Sequence, residues 1–146
     1  SPSDFILRPS DDKLLKILKT SEKIAVVGIS QIETQPSNSI SKYLIKHGYT
    51  IIPVNPKYSE VLNLKSFSNL LEIPETIDVV LVFRQSEATL DIVKEVIMLK
   101  PKPKIVWMQE GIINEEAAQL ALTNGIDVVM DQCMRLNHNR LKEQLD

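Results

Sequence analysis

Cysteine is almost absent: Cys133 is the only one in 146 residues. No intrachain disulfide can form, and the chain fits a reducing, cytoplasmic setting. The chain has two histidines, His47 and His138; with one thiol and no ligand spacing they make no recognisable zinc site. Glycine is scarce, at four residues. A dinucleotide fingerprint needs two more glycines after Gly28, and neither is present. No sign of charge dominates, since 17 Lys and Arg face 19 Asp and Glu. A dedicated nucleic-acid-binding domain carries a strong basic excess, so no DNA or RNA partner is expected. No apolar run approaches the ~18–20 residues of a membrane helix, so no membrane role is expected. Ser1 to Pro9 shows no basic stretch followed by an apolar one, hence no visible signal peptide.

What remains is an ordinary globular balance, 43% hydrophobic and 25% charged, which excludes a disordered tail. Five short apolar runs recur along it: Ile24–Gly28, Tyr49–Val54, Asp78–Phe83, Lys104–Met108 and Asp127–Met130. Each is continuous rather than alternating, as a strand covered on both faces must be. Helical periodicity fills the gaps. Asp12 to Thr20 predicts a leading helix capped by Ser10. Ser37 to Lys46 predicts a second, capped by Ser37 or Ser39. Ser86 to Leu99 predicts a third, capped by Ser86. Asn114 to Thr123 and Leu136 to Leu145 complete the set. Val61 to Ile73 predicts only a short helix or an irregular packed loop. The expected fold is α/β: a Rossmann-like, doubly wound, five-stranded parallel sheet with helices on both faces. Residues 1–20 form an N-terminal extension with a helix, and residues 21–146 form one domain.

In such sheets ligands bind at the carboxyl ends of the strands. After the first run come Gly28, Ile29 and Ser30, then Ser37 and Asn38. Glycine lets backbone approach a phosphate closely; a Cβ there would push the loop outward or clash with the ligand. After the second run come Asn55, Pro56 and Lys57, where an NAD site holds an acid for the ribose. An amide and a cation there point instead to a ligand with extra phosphate. After the third run, Phe83 and Arg84 place a cation at a helix start, against the dipole. Gln109 and Gly111 follow the fourth. Cys133, after the fifth, has no base at a known spacing and is expected to be a structural thiol.

Gly28-Ile29-Ser30, Pro53-Val54-Asn55-Pro56-Lys57, Phe83-Arg84, Trp107-Met108-Gln109-Glu110-Gly111, Met130-Asp131-x-Cys133 and His138-x-Arg140-Leu141 together resemble the stand-alone CoA-binding domain proteins. Those are similar to the N-terminal domain of the succinyl-CoA synthetase alpha subunit and of ADP-forming acyl-CoA synthetases. The resemblance implies strand order 3-2-1-4-5 and coenzyme A, or an acyl-CoA, bound across the strand ends. It implies a cofactor-binding set of Gly28, Ile29, Ser30, Ser37, Asn38, Asn55, Pro56, Lys57, Phe83, Arg84, Gln109 and Gly111, with no catalytic residue. Lys57 would answer the nucleotide phosphate. The chain departs at Gln35 and Gln132, where the family has arginine, and near Val61-Leu62-Asn63, where it has glycine. The function expected is a non-catalytic carrier, regulatory or accessory role, with a synthetase partner or a second copy as possible company. The rivals are an NADP-binding oxidoreductase-like protein and an interaction module with a vestigial pocket.

Overall fold

The computed structural model describes residues 9–145. The reading of Ser1 to Pro9, and the first residues of the predicted extension, therefore fall almost wholly outside the described residues. In chain order the elements are α1 (Asp11–Thr20), β1 (Lys23–Val27), α2 (Pro36–Lys46), β2 (Thr50–Val54), β3 (Glu60–Val61) and β4 (Leu64–Lys65). Then follow β5 (Val79–Val82), α3 (Thr89–Val96), β6 (Ile105–Met108), α4 (Glu115–Thr123), β7 (Asp127–Val129) and α5 (Met134–Leu141).

β1, β2, β5, β6 and β7 form one parallel sheet in the order β2-β1-β5-β6-β7. Successive side chains of a strand face opposite ways. In β1, Ala25 and Val27 enter the core beneath α3 and α4, while Ile24 and Val26 enter the core beneath α1, α2 and α5. All four residues of β5 and of β6 are buried, which explains their unbroken apolar character. Trp107, fully buried, donates its indole N–H to the Gln132 carbonyl at 2.8 Å. That bond satisfies the one polar atom of the largest core side chain.

The doubly wound α/β architecture agrees with the sequence reading; the placement of one strand differs. Counted along the five runs, the sheet order is 2-1-3-4-5, because Val79–Val82 pairs with β1. The outer place beside β2 belongs to a single parallel bridge between Val54 and Phe67. Counting that bridge as the third member gives a 3-2-1-4-5 start, so the two descriptions differ in which segment is called third. Val61–Ile73, expected as a helix or loop, holds a β3–β4 hairpin and a single 3-10 turn at Leu70–Glu72. Leu62 and Asn63 close the hairpin with φ of 55° and 61°. A two-residue hairpin turn with both φ positive matches the twist of its strands, which is why glycine is favoured there.

Two caps also differ from expectation. Ser10 caps α1 through the Lys13 amide at 3.2 Å, as read. At α2 the cap position is Gln35, with no side-chain bond, and Ser37 lies inside the first turn. Ser86 opens a 3-10 turn ahead of α3, and its hydroxyl accepts from the Ile113 amide at 3.0 Å instead.

Candidate functional site

β1 and β5 are neighbours, yet the chain leaves them in opposite directions. After β1 it runs to α2 on one face; after β5 it runs to α3 on the other. Diverging loops leave a crevice at the carboxyl edge, the topological switch point where doubly wound sheets take ligands. Gly28 and Arg84 meet across that crevice. Gly28 has φ +90°, and its amide donates to the Val54 carbonyl at 2.9 Å. A Cβ on Gly28 would stand 2.9 Å from Cδ and 3.2 Å from Cγ of Arg84. The arginine stem thus lies directly across bare backbone.

A cleft of about 150 Å³ opens there, lined among others by Gly28, Asn55, Pro56, Asn69, Arg84 and Glu95. Asn55 braces it. Its amide nitrogen donates to the Ile29 carbonyl at 2.9 Å, and its Oδ1 accepts from the Lys57 amide at 2.9 Å. One side chain therefore ties the loop after β1 to the turn after β2. Among the described residues, neither the Lys57 ammonium nor the Arg84 guanidinium has an ion pair. Glu95, in the same cleft, is engaged as acceptor for the Leu70 amide.

The predicted residues do not all face one space. Gly28, Asn55, Pro56 and Arg84 line the cleft, and Lys57 stands just outside it, beyond Pro56. Ser37 and Asn38 are buried and work from behind. The Ser37 hydroxyl accepts from the Ser30 amide at 2.9 Å, and the Asn38 amide donates to the Ser30 carbonyl at 2.8 Å. These two side chains shape the loop. Ile29 is fully buried, so only its backbone reaches the edge. Phe83 is half-buried against the core beneath α2. Gln109 is buried, and its Oε1 accepts from the Met134 amide at 3.3 Å. Gly111 donates to the Asp131 carboxylate at 2.6 Å. Both bonds join the loops after β6 and β7, away from the Gly28–Arg84 crevice.

Ser68, Asn69 and Glu95 line the cleft and were not anticipated. Ser68 and Asn69 come from the segment without periodicity, and Glu95 sits in a helix as an ordinary polar residue. Cys133 occupies the cap position of α5 and packs partly against the core. His138 is bonded through Nδ1 to the Tyr43 hydroxyl at 2.8 Å. Among the described residues no group of acidic, His or Cys side chains is arranged to hold a metal, and no helix is long and apolar enough to cross a membrane.

A larger cleft, about 550 Å³, lies at the opposite, amino edge between α1, the end of α2 and α5. His47 and His138 both line it, with ring centres 4.8 Å apart. Burial, His47 and Lys142 together hold His138 below the usual histidine range. Burial, with a smaller push from Tyr43, raises Tyr49 to about 12.

A family profile described as "CoA binding domain" matches residues 22–139. The uncharacterized protein YneT of Bacillus subtilis is 41% identical over 130 residues, covering 89% of this chain and 95% of YneT. A solved structure of a hypothetical protein from Pyrococcus horikoshii OT3 superposes with a TM-score of 0.87 at 39% identity, covering 91% of this chain and 92% of that one. An ADP-forming acetate–CoA ligase from Archaeoglobus fulgidus is 25% identical over 119 residues. The match covers 76% of this chain and only 17% of the ligase.

Proposed function

Because the chain belongs to the CoA-binding domain family, we propose that it binds coenzyme A or an acyl-CoA at the carboxyl edge of the sheet. The observation that carries this reading is the Gly28–Arg84 crevice. There, bare backbone at a switch point lies beside Arg84, with Lys57 just beyond Pro56, and among the described residues neither cation has an ion pair. The pyrophosphate would lie along the Gly28–Ser30 loop, facing Arg84. The α2 N-terminus, which has no side-chain cap, would add its dipole. Lys57 would answer the 3′-phosphate, in a turn that lacks the acid an NAD ribose needs. Asn55 would hold both elements at a fixed separation. Ser37 and Asn38 would act one step back, by fixing Ser30. The role is non-catalytic: the chain holds its ligand as a carrier, or as a regulatory or accessory domain beside a synthetase-type partner.

Calorimetry with CoA, 3′-dephospho-CoA, NAD and NADP tests the reading. A charge-assisted hydrogen bond is worth roughly 1.5–3 kcal/mol, so CoA should bind about ten- to a hundredfold more tightly than dephospho-CoA. Lys57→Ala should erase most of that difference. Equal affinity for CoA and NAD, or tighter binding of NADP than of CoA, would sink the proposal.

A further inference from the structure

The amino-edge cleft of about 550 Å³ holds a cluster of side chains that the CoA reading leaves unused. His138, on α5, is buried, and His47, just past the end of α2, is exposed. Their ring centres are 4.8 Å apart. The Tyr49 ring meets His138 edge-on at 5.7 Å, and the Tyr43 ring packs on His47 at 4.3 Å. His138 spends Nδ1 on the Tyr43 hydroxyl at 2.8 Å. That leaves Nε2, which carries a proton whenever the ring is charged. Ser21, also buried, lines the same cleft, and its hydroxyl has no hydrogen-bond partner among the described residues. An unpaired buried hydroxyl carries a cost that a ligand oxygen removes.

Four charged side chains rim the cleft and cancel in number, Lys19 and Lys142 against Glu22 and Glu143. None of the four has an ion pair among the described residues. The two imidazoles therefore set the sign of the cleft. The field at His138 is positive: besides burial, the charges that hold it below the usual histidine range are His47 and Lys142. Burial raises Tyr49, to about 12, and Tyr43 as well, so neither hydroxyl ionises near neutrality. Arg135, 5.8 Å from the centre of the Tyr43 ring, adds a permanent positive charge. Helix carbonyl ends also gather at this edge, and bare ones would repel an anion. Here they are spent on internal donors. The carbonyls of Tyr43, Leu44 and Ile45 accept from the amides of His47, Tyr49 and Gly48, and the Leu18 carbonyl accepts from the Tyr49 hydroxyl at 2.6 Å. A cation placed here would meet Lys142 and the two rings, whereas an anion relieves the repulsion among them.

We propose that this cleft is a second ligand site, which takes a small oxyanion, a phosphate or carboxylate group, between His47, His138 and Lys142. The site goes beyond the CoA reading and does not depend on it. The anion binds together with a proton. Its charge offsets the repulsion that keeps His138 neutral, the ring takes a proton from solvent, and Nε2 then donates to a ligand oxygen. The Ser21 hydroxyl supplies a further donor, and Leu18 and Leu145 offer an apolar wall to the carbon part of an organic ligand.

Sulfate is the probe, because it stays a dianion throughout the range in which histidine titrates, so any pH dependence belongs to the protein. The His138 ring resonances, followed by NMR in sulfate and in chloride of equal ionic strength, report this cleft whatever sulfate does at the opposite edge. Sulfate should raise the His138 pKa relative to chloride, and should bind roughly threefold to tenfold more tightly at pH 5.5 than at pH 7.5. Lys142→Ala and His47→Gln replace exposed residues, so both variants keep the fold. Each should weaken sulfate about threefold or more and shrink the rise in the His138 pKa. Acetate and methyl phosphate in the same titration divide the two oxyanion classes: the one that acts at the lower concentration names the group. A His138 titration identical in sulfate and chloride overturns the inference. So does sulfate affinity that is equal at the two pH values. A rise that persists in full in both variants overturns it as well, since it would then come from charge screening over the whole protein.

Discussion

Gly28→Ala perturbs the fold and the site at one atom, and the structure separates the two costs. The residue sits at φ +90°, where an L-residue costs about 1–2 kcal/mol more than glycine. The new methyl would also stand 3.3 Å from the Phe83 carbonyl carbon. That atom belongs to the backbone that leaves β5, so it yields little. The contact at 2.9 Å is with Arg84 Cδ, which can swing away at small cost. The total is roughly 1–3 kcal/mol. For a domain near this size that is a fall in melting temperature of roughly 3–10 °C. A ligand-only role for Gly28 would leave stability untouched, so the expectation drawn from close approach alone is incomplete. Thermal unfolding of the four proteins of a Gly28→Ala, Arg84→Ala cycle gives the division. Removing the arginine stem relieves its clash but not the φ penalty. The alanine should therefore cost less in the Arg84→Ala background, by a fraction of the total. CoA affinity should fall in Gly28→Ala about tenfold or more, since the methyl enters the crevice and displaces Arg84. A melting temperature within a degree of wild type would refute the backbone argument. Identical costs in the two backgrounds would refute the packing of Arg84 on Gly28.

The pH dependence of stability has two named sources. His138 is held below its usual range by burial, His47 and Lys142, so the native state favours the neutral ring. Its contribution is complete above about pH 6.5 and is lost as pH falls below that value. Denaturant midpoints between pH 7.5 and 5 should drop, and His138→Gln should flatten that slope; an unchanged slope would clear His138. Asp78 feels burial, which raises its pKa, but the amides of Lys23 and Glu22 and the charge of Lys104 outweigh it, and the net shift is downward. Its contribution is present above the ordinary carboxylate range and is lost as pH falls through it, so Asp78→Ala should destabilise more at pH 7 than at pH 3 by chemical unfolding. The Tyr49 hydroxyl donates to the Leu18 carbonyl at 2.6 Å in a buried site, and Tyr49→Phe should cost about 1–2 kcal/mol by leaving that carbonyl unpaired. Urea unfolding at pH 7 checks it, and a loss under 0.3 kcal/mol would be too small for a buried bond of this kind.

The fold was legible wherever burial wrote it into composition. Strands covered on both faces must be apolar throughout, and all five runs became strands of one sheet. Helices with one buried stripe kept their period, as Leu14, Ile17 and Leu18 do in α1. The edge beyond β2 escaped because it obeys neither period. The hairpin of Glu60–Lys65 pairs only two residues on each side, too few for alternation to register. Phe67 adds to the sheet through one bridge, and a single residue has no period at all. The leucines of this segment pointed to burial, yet Leu70 is buried while Leu71 is exposed, and burial alone does not choose between helix, hairpin and turn.

The cleft that forms the candidate site was legible for a different reason. A glycine at the end of a buried run, a turn with an amide where an acid is common, and a cation at a helix start are each local misfits, and misfits gather where function overrides propensity. Those three signals are Gly28, Asn55 and Arg84, and they line one cleft. Side chains that act through others carried no such mark. Ser37 and Asn38 read as hydroxyl and amide groups facing a ligand, yet they are buried and serve Ser30. Sequence shows which atoms can bond, whereas burial decides which partner they meet. Asn55 illustrates the difference most sharply. Its amide nitrogen and its oxygen are both spent on backbone, on Ile29 and Lys57. Any contribution to binding must therefore pass through the spacing of the Gly28 and Lys57 loops, so that fold and site are held by the same two hydrogen bonds.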